Sequence, residues 1–387
     1  MSLDTEPNTQ TNGAVTTRTS RLLWQSVRIL LIVIGFLLAL DVMQASLALF
    51  GADYLRGQIT EIVNNPFIAL FLGMLVTALI QSSSTTTTMI VSLVVTGSLD
   101  PVSATPMIMG ANVGTSVTST LVSLGFIGYK DEYRRAIAAA SVHNFFNIIT
   151  VLVLFPIELM TRALSSTASG IASFLPAQAA NGFELFDSLN FISRPIIDGL
   201  FRLTANEALP EGNPYLLLPL AIAFLFLMLQ LLTQQLRNVV IGRVRRRLNR
   251  LIFGRPIRSL LTGTIITAGI QSSSATTSLV VPLVASRKVS LGHAFPFVMG
   301  ANVGTTLTAL LAALFLGAKT SSGLSAAFIH LLFNLIGVLL LFPVPAIRNY
   351  PVRLAKKLGE LTLRNRLYGV GYVVVVFFLL PGLLIFL

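Results

Sequence analysis

Two short polar runs stand inside long apolar stretches of this 387-residue chain. Residues 81–88 have the sequence Gln-Ser-Ser-Ser-Thr-Thr-Thr-Thr, and residues 271–278 have Gln-Ser-Ser-Ser-Ala-Thr-Thr-Ser. Serine hydroxyls and glutamine amides both donate and accept hydrogen bonds. At a helix start they join free backbone N–H groups and the positive end of the helix dipole, which favours an oxyanion. The runs therefore predict a site for a tetrahedral anion.

A second shared motif follows each run at the same distance. Residues 109–115 and 299–305 are both Met-Gly-Ala-Asn-Val-Gly-Thr, and each asparagine comes 31 residues after the glutamine of its run. Residues 73–121 and 263–311 are identical at 24 of 49 positions without a gap. Such self-similarity indicates an internal duplication. Two copies predict one pseudo-symmetric site.

The composition places these runs in a membrane protein. Apolar residues make up 54% of the chain and charged residues only 11%, against about 25% charged residues in ordinary soluble domains. The net charge of +12 comes from Lys and Arg in short loops beside apolar segments, which fixes the orientation of a multispanning protein and argues against nucleic acid. Without cysteine, the chain has no disulfide, thiolate metal site or cysteine nucleophile.

Neither run nor either glycine motif contains Lys, Arg or His. An anion at membrane depth without a countercharge is costly, and co-bound cations would remove that cost. Neutral oxygens beside carbonyls of broken helices suit hard monovalent cations. We infer anion uptake coupled to Na⁺, because each ion lowers the electrostatic cost of the other. The oxygens expected to serve Na⁺ belong to Thr85, Thr86, Thr87, Asn112, Thr115, Ser116, Thr118, Asn302, Thr305 and Thr306.

The elements that must position these residues follow from hydropathy and loop charge. A first core, residues 67–124, is too long for one span, so we predict a re-entrant hairpin over 67–96, entering from outside with its tip at the polar run. A broken helix over 103–124 then crosses inward, its freed backbone lining a cavity. The second core enters from the cytoplasmic side, with a hairpin over 260–286 and a crossing over 293–316. The copies are thus predicted to be inverted in the membrane.

The rest of the chain completes seven predicted crossings. The loop 161–213 carries three Arg against five acids and is predicted to be external, whereas the Arg cluster after residue 236 is predicted to be cytoplasmic and to contact anionic lipid. An interfacial helix is expected over 52–65. The predicted divisions are a disordered tail (1–20), repeat 1 (21–160), the external loop (161–213), repeat 2 (214–346), and a basic inner segment with a final transmembrane helix (347–387).

Supporting residues are fewer. Asp41 lies in the first apolar helix and is either functional or hydrogen-bonded inside the bundle. The pattern His-x-x-Phe-Asn occurs twice, and its histidines are better explained as packed residues bonding a neighbouring backbone than as ligands. Small residues also mark close helix packing, but their duplication favours a site. The duplicated supporting residues are His143, Asn147, His330 and Asn334.

Inverted repeats with broken helices are typical of secondary transporters that work by alternating access, with substrate and ions at the repeat interface. An intramembrane hydrolase would need a base beside the serines, and the cores supply none, so we expect no catalytic residue and no enzyme. A passive anion channel and a transporter of sulfate, arsenate or a phosphonate remain alternatives.

The doubled Gln-Ser-Ser-Ser and Gly-Ala-Asn-Val-Gly-Thr motifs resemble the type II sodium/phosphate cotransporter family over residues 65–156 and 254–343. The resemblance implies Na⁺-driven import of inorganic phosphate. We expect a multi-pass protein of the cell (inner) membrane that contacts membrane lipids, with a homo-oligomer as a compatible state. Its N-terminus is expected to be cytoplasmic, because Arg18, Arg21 and Arg28 precede the first apolar run. The short, cysteine-free external loop suggests a bacterial-type member. Ala275 replaces Thr85 in the second copy, which leaves the number of Na⁺ sites open. The phosphate-binding residues that the resemblance implies are Gln81, Ser82, Ser83, Ser84, Gln271, Ser272, Ser273 and Ser274.

Overall fold

A computed structural model describes residues 10–49, 57, 63–174, 190–206, 212–244, 253–316 and 321–385. The described residues lie almost entirely in helices, as predicted for an all-α membrane protein. In order they are α1 (Gln10–Leu49), α2 (Pro66–Ile80), α3 (Ser83–Val95), α4 (Pro101–Gly114), α5 (Ser116–Leu124), α6 (Lys130–Thr161), α7 (Ala163–Phe174), α8 (Asn190–Thr204), α9 (Pro214–Val244), α10 (Pro256–Ile270), α11 (Ser273–Ala285), α12 (Leu291–Phe315), α13 (Ser321–Leu341), α14 (Pro345–Arg364), α15 (Leu367–Val374), a π-helical segment (Val375–Leu379) and α16 (Leu380–Ile385).

Six helical segments in the described part of the chain are long and apolar enough to cross a membrane. They lie in α1, α6, α9, α12 and α13, and in the run from α15 to α16. The predicted seventh crossing is divided between α4 and α5, which together cover residues 101–124. The all-α polytopic fold is therefore confirmed.

Each polar run forms the tip of a helical hairpin, as predicted. α2 ends at Gln81, whose left-handed backbone (φ 59°) turns the chain, and Ser82 then begins α3 as its N-cap. α10 and α11 are joined in the same way through Gln271 (φ 58°) and Ser272. At 13 to 15 residues, these helices are shorter than the roughly 20 residues that a full crossing needs.

Glycines let the first helix of each hairpin lie directly on the following helix. A Cβ on Gly110 would overlap the carbonyl oxygen of Leu70, and one on Gly300 would overlap that of Leu260. The pairs are separated by 190 residues, so the duplicated sequence produces duplicated packing. Small residues at helix contacts are the usual means of close approach in membranes.

The glycine motif differs from the prediction of a broken helix. In the first copy the interruption is confined to Thr115, which keeps helical dihedral angles, and its amide still donates to the carbonyl of Ala111 (3.2 Å). In the second copy α12 continues through the motif. The expected release of backbone at residues 110–114 and 300–304 does not occur, because these glycines serve close packing instead.

The two halves are interlocked through the second helix of each hairpin. α3 packs against α12 and α13 of the second half, and α11 packs against α5 and α6 of the first half. α14, which carries the basic segment, lies along α6. The site expected at the interface of the repeats is therefore enclosed by helices from both copies.

Other expectations are met only in part. α1 begins at Gln10, so helix extends into the segment expected to be a tail, and the expected interfacial helix over 52–65 falls largely outside the described residues. The connecting segment 161–213 holds α7 and α8, and α7 packs on α13. The inversion of the two copies in the membrane stays a prediction.

Candidate functional site

The two hairpin tips meet at the centre of the bundle. Ser84 Oγ donates a hydrogen bond to the backbone carbonyl of Gln271 (3.1 Å). The same hydroxyl lies 3.2 Å from Thr305 Oγ1. Ser84 belongs to the first Gln-Ser-Ser-Ser run and Gln271 to the second, and the two residues are 187 positions apart in the chain. The structure thus brings both predicted runs to one place.

Each tip presents the start of a helix. Ser82 Oγ accepts from the amide of Thr85 (3.2 Å), and Ser272 Oγ accepts from the amide of Ala275 (3.2 Å). The first backbone amides of a helix have no acceptor within the helix. The amides of Ser83 and Ser84, and of Ser273 and Ser274, are in this position. The hydroxyl-bearing serines at these starts are buried, namely Ser83, Ser84, Ser273 and Ser274.

The tip glutamines hold the hairpins to the next helix through their carbonyl groups. Thr118 Oγ1 donates to the carbonyl of Gln81 (3.3 Å), and Thr308 Oγ1 donates to that of Gln271 (3.5 Å). The Gln81 side chain is exposed and that of Gln271 is half-buried. Both amides therefore lie at the rim of the site. Thr308 is a residue that the sequence analysis missed, although it is the repeat mate of Thr118.

Most hydroxyls of the predicted cation set donate to the carbonyls of their own helix. Such bonds run from Thr87 Oγ1 to Ser83 (2.6 Å) and from Thr306 Oγ1 to Val303 (2.7 Å). Because the proton is used in that bond, a lone pair of the oxygen stays available for a cation. Thr86 and Thr115 bond in the same manner. Ser116 Oγ lies within hydrogen-bond distance of two acceptors, the Val113 carbonyl (2.6 Å) and Asn144 Oδ1 (3.0 Å).

A buried cluster of amides and imidazoles links the halves elsewhere. Asn112 Oδ1 accepts from Asn334 Nδ2 (3.0 Å) and lies 3.3 Å from His330 Nε2. On the other side Asn302 Nδ2 donates to Asn147 Oδ1 (2.7 Å), and Asn302 Oδ1 lies 2.5 Å from His143 Nε2. Each glycine-motif asparagine thus binds the histidine-asparagine pair of the opposite half.

The asparagine cluster contains the four duplicated supporting residues, His143, Asn147, His330 and Asn334. The histidines are fully buried and hydrogen-bond to an amide of the other half. They are therefore packed inside the bundle, as preferred from the sequence, but their partners are side chains rather than backbone. Asn112 and Asn302 were expected among the cation ligands. The Oδ1 of Asn112 and both amide atoms of Asn302 are engaged in this cluster, while Asn112 Nδ2 donates to the Ile108 carbonyl of its own helix.

One contact breaks the two-fold pattern. Asn144 Nδ2 donates to the hydroxyl of Tyr372 on α15, and Asn144 Oδ1 accepts from Ser116 Oγ (3.0 Å). Leu331 stands at the repeat position of Asn144, so sequence symmetry gave no signal for this contact. A second asymmetry is Thr85, which is alanine (Ala275) in the second copy. Thr85 Oγ1 donates to Ser82 Oγ (2.9 Å), and Ala275 has no hydroxyl to do so.

Asp41 lies half-buried on α1, which packs mainly along α9.

Comparison with known proteins covers the regions just described. A family model described as Na⁺/Pi-cotransporter matches residues 36–176 and 224–363, which include both hairpins and the asparagine cluster. The two matched segments correspond to the two copies of the duplication. A comparison with solved structures gave no significant match.

Three relatives illustrate the similarity. Sodium-dependent phosphate transport protein 2A of Ovis aries is 34% identical over 421 residues, covering 90% of this chain and 65% of the relative. Protein 2B of Homo sapiens is 31% identical over 451 residues, covering 92% and 65%. Protein 2C of Rattus norvegicus is 33% identical over 352 residues, covering 71% and 58%. The chain therefore spans about 65% of the length of the 2A and 2B relatives that it matches.

Proposed function

The chain belongs to the Na⁺/Pi-cotransporter family, and from that membership we propose that it imports inorganic phosphate into the cell by coupling it to Na⁺. It is then a secondary active transporter of the cell membrane rather than an enzyme. Its relatives named above are sodium-dependent phosphate transport proteins. The observation that carries the proposal is the meeting of the two hairpin tips through Ser84 and Gln271.

Phosphate is proposed to bind between the tips. The starts of α3 and α11 offer backbone amides and the positive ends of two helix dipoles, which stabilise an anion. Buried serine hydroxyls from both halves supply further donors. A tetrahedral oxyanion can use donors that arrive from opposite sides. The side chains of Gln81 and Gln271 are proposed to close the site at its rim.

Na⁺ is proposed to bind the hydroxyl and carbonyl oxygens beside the tips. Thr305 is the best placed, because its Oγ1 lies 3.2 Å from Ser84 Oγ in the opposite run. A cation there would neutralise charge brought in by the anion, and the anion would favour the cation in return. Thr85, Thr86, Thr115, Ser116, Thr118 and Thr306 are the other proposed ligands, whereas Asn112 and Asn302 are proposed to hold the halves together.

Alternating access is proposed to involve the hairpins. The tips are joined to each other by the bond from the buried Ser84 hydroxyl to the Gln271 carbonyl, and the first helix of each hairpin is joined to its own following helix by direct backbone packing. Movement of a tip would therefore break this bond and shift the second helix of the hairpin against the helices of the other half on which it packs. With the halves inverted, one hairpin would open to each side of the membrane.

The proposal is tested by uptake of radiolabelled phosphate into proteoliposomes that contain the purified protein. An inward Na⁺ gradient should drive accumulation above equilibrium, while an equal K⁺ gradient should not. Equilibration independent of Na⁺ would identify an anion channel instead. Na⁺-driven uptake of sulfate in preference to phosphate would keep the mechanism and replace the substrate.

A further inference from the structure

A cavity with several charged side chains in its lining lies away from the hairpin tips. It has a volume of about 390 Å³ and opens between the beginning of α6, the turn that joins α11 to α12, and α14. The loop charges predict that this end of the bundle faces the cytoplasm. The lining residues are Arg134, Arg135, Ala138, Val284, Arg287, Val289, Ser290, Leu291, Lys356 and Glu360.

The lining carries four cationic side chains and one acid. Arg134 Nη2 lies 3.5 Å from a carboxylate oxygen of Asp131, which balances part of this charge. The Asp131 side chain is exposed, so the pair adds little to the stability of the fold. Arg135 is held differently: its Nε donates to the carbonyl of Ala285 (2.7 Å), while its Nη1 is buried without an acceptor among the described residues. A buried guanidinium nitrogen without a partner is unusual. Arg135 therefore adds its positive charge to the lining, with one nitrogen that no described acceptor neutralises.

Arg287 supplies a second, independent observation. Its backbone lies in the left-handed region (φ 60°), where a side chain is strained, and the first copy has Gly97 (φ 75°) at the same repeat position. The second copy therefore places a cation in the cavity at a position where its duplicate uses glycine.

From these observations we propose that the cavity binds a phosphate group carried by a larger molecule, either a soluble polyphosphate or an anionic phospholipid. Guanidinium groups bind phosphate through paired hydrogen bonds. The volume lies within the range of about 300–1,000 Å³ usual for ligand sites and exceeds the needs of a free phosphate ion. Ala138 and Val284 provide an apolar wall for the rest of the ligand.

The site joins parts that belong to different halves. Arg135 is on α6 of the first half, Arg287 follows the hairpin of the second half, and Lys356 is on α14. A ligand that bridges them ties the base of the second hairpin to its neighbours. Binding is thus expected to restrain that hairpin and to slow any transport cycle that moves it.

The site is tested by binding in Na⁺-free buffer, with the full chain in phosphatidylcholine nanodiscs. Tripolyphosphate is titrated by calorimetry, and nanodiscs doped with phosphatidic acid are examined by native mass spectrometry for retained lipid. Arg287→Gly adopts the backbone that Gly97 shows and should weaken binding by about tenfold or more, as the loss of a charge-assisted hydrogen bond predicts. Arg135→Gln should weaken it similarly.

The matched control is Lys288→Ser, which removes the same charge from the next position and restores the Ser98 of the first copy. Lys288 does not line the cavity, so this variant should bind as the parent does. Tripolyphosphate binding identifies a soluble ligand, and retained phosphatidic acid alone identifies a lipid. Binding of neither probe, or equal loss in Arg287→Gly and Lys288→Ser, would overturn the proposal. Because Na⁺ is absent, this result is separate from that of the uptake assay.

Discussion

Asn112 and Asn302 are the residues through which each half of the molecule holds the other. Both are buried, and both place a side-chain amide against the histidine-asparagine pair of the opposite half. The bonds on Asn112 bring together residues more than 200 positions apart in the chain. Buried amides left without such partners are costly. The asparagine cluster is therefore a device for joining the repeats.

Asn112→Ala should lower the stability of the folded protein strongly. It leaves Asn334 Nδ2 without one of its two acceptors and His330 Nε2 without its partner, and each stranded buried group costs about 1–3 kcal/mol. Thermal unfolding of the purified protein in detergent measures the change. Thr105→Val is the control, because this buried hydroxyl bonds only within its own helix. An unchanged melting temperature for Asn112→Ala would remove the joining role from the cluster.

Sequence spacing located these residues but not their partners. The offset of 190 found Asn112 and Asn302, and the offset of 187 found the two histidines. No periodicity in a sequence states that the first asparagine binds the second histidine, since that pairing depends on how the halves interlock. Asn144 and Tyr372 could not be found at all, because their contact has no repeat mate.

Glycines act at the scale of whole helices. α10 can reach α12 only because Gly263, Gly300 and Gly304 leave room for backbone atoms. The same three positions in the first copy seat α2 on α4 and α5. Each hairpin is thus fixed to its own half along its first helix and touches the other half mainly through its second.

Gly300→Ala should separate α10 from α12 and destabilise the protein by about 3 kcal/mol or more, as overpacking does at its upper end. The reason is that the added Cβ meets backbone atoms of Leu260 and Thr264, which cannot turn aside. Gly292→Ala on the same helix is the control, since its Cβ would meet nothing within 4 Å. Thermal unfolding and size-exclusion elution compare the two variants. Equal stability would contradict the packing role of Gly300.

The element boundaries show what hydropathy can and cannot supply. The hairpin tips were predictable, because a Gln-Ser-Ser-Ser run in an apolar stretch needs a turn and an N-cap, and Ser82 and Ser272 provide the caps. The break predicted at the glycine motif was wrong, because glycine can either open a helix or let a neighbouring helix approach it, and the sequence does not say which. In α12 the glycines let α10 approach closely, and the helix stays continuous.

At the scale of the whole molecule, duplication gives two hairpins whose tips meet. The second helix of each hairpin packs against helices of the other half. The loop charges predict that the copies are inverted in the membrane. Equivalent positions should then face opposite sides, and the absence of native cysteine makes this measurable. Val102 and Gly292 are suitable, because they are exposed, occupy the same repeat position and lie at the starts of α4 and α12.

Val102→Cys should react with a membrane-impermeant maleimide in intact cells, whereas Gly292→Cys should react only after the membrane is opened. The physical reason is that the reagent reaches only the outer face of an intact cell. Labelling of both cysteines from the same side would exclude inverted copies. It would also exclude the proposal that one hairpin opens to each side of the membrane.

The most direct test of the account asks whether both tips serve one Na⁺-coupled site. Phosphate uptake into proteoliposomes is compared for Gln81→Gly and Gln271→Gly, which keep the left-handed turn and remove only the side chain. Arg162→Gly is the control, because Arg162 has the same backbone conformation (φ 52°) outside the site. Each tip variant should reduce Na⁺-driven uptake by about tenfold or more, as the loss of a hydrogen bond to a charged ligand predicts, while the control should retain it. Full Na⁺-driven uptake in either tip variant would contradict a single site shared by the two repeats.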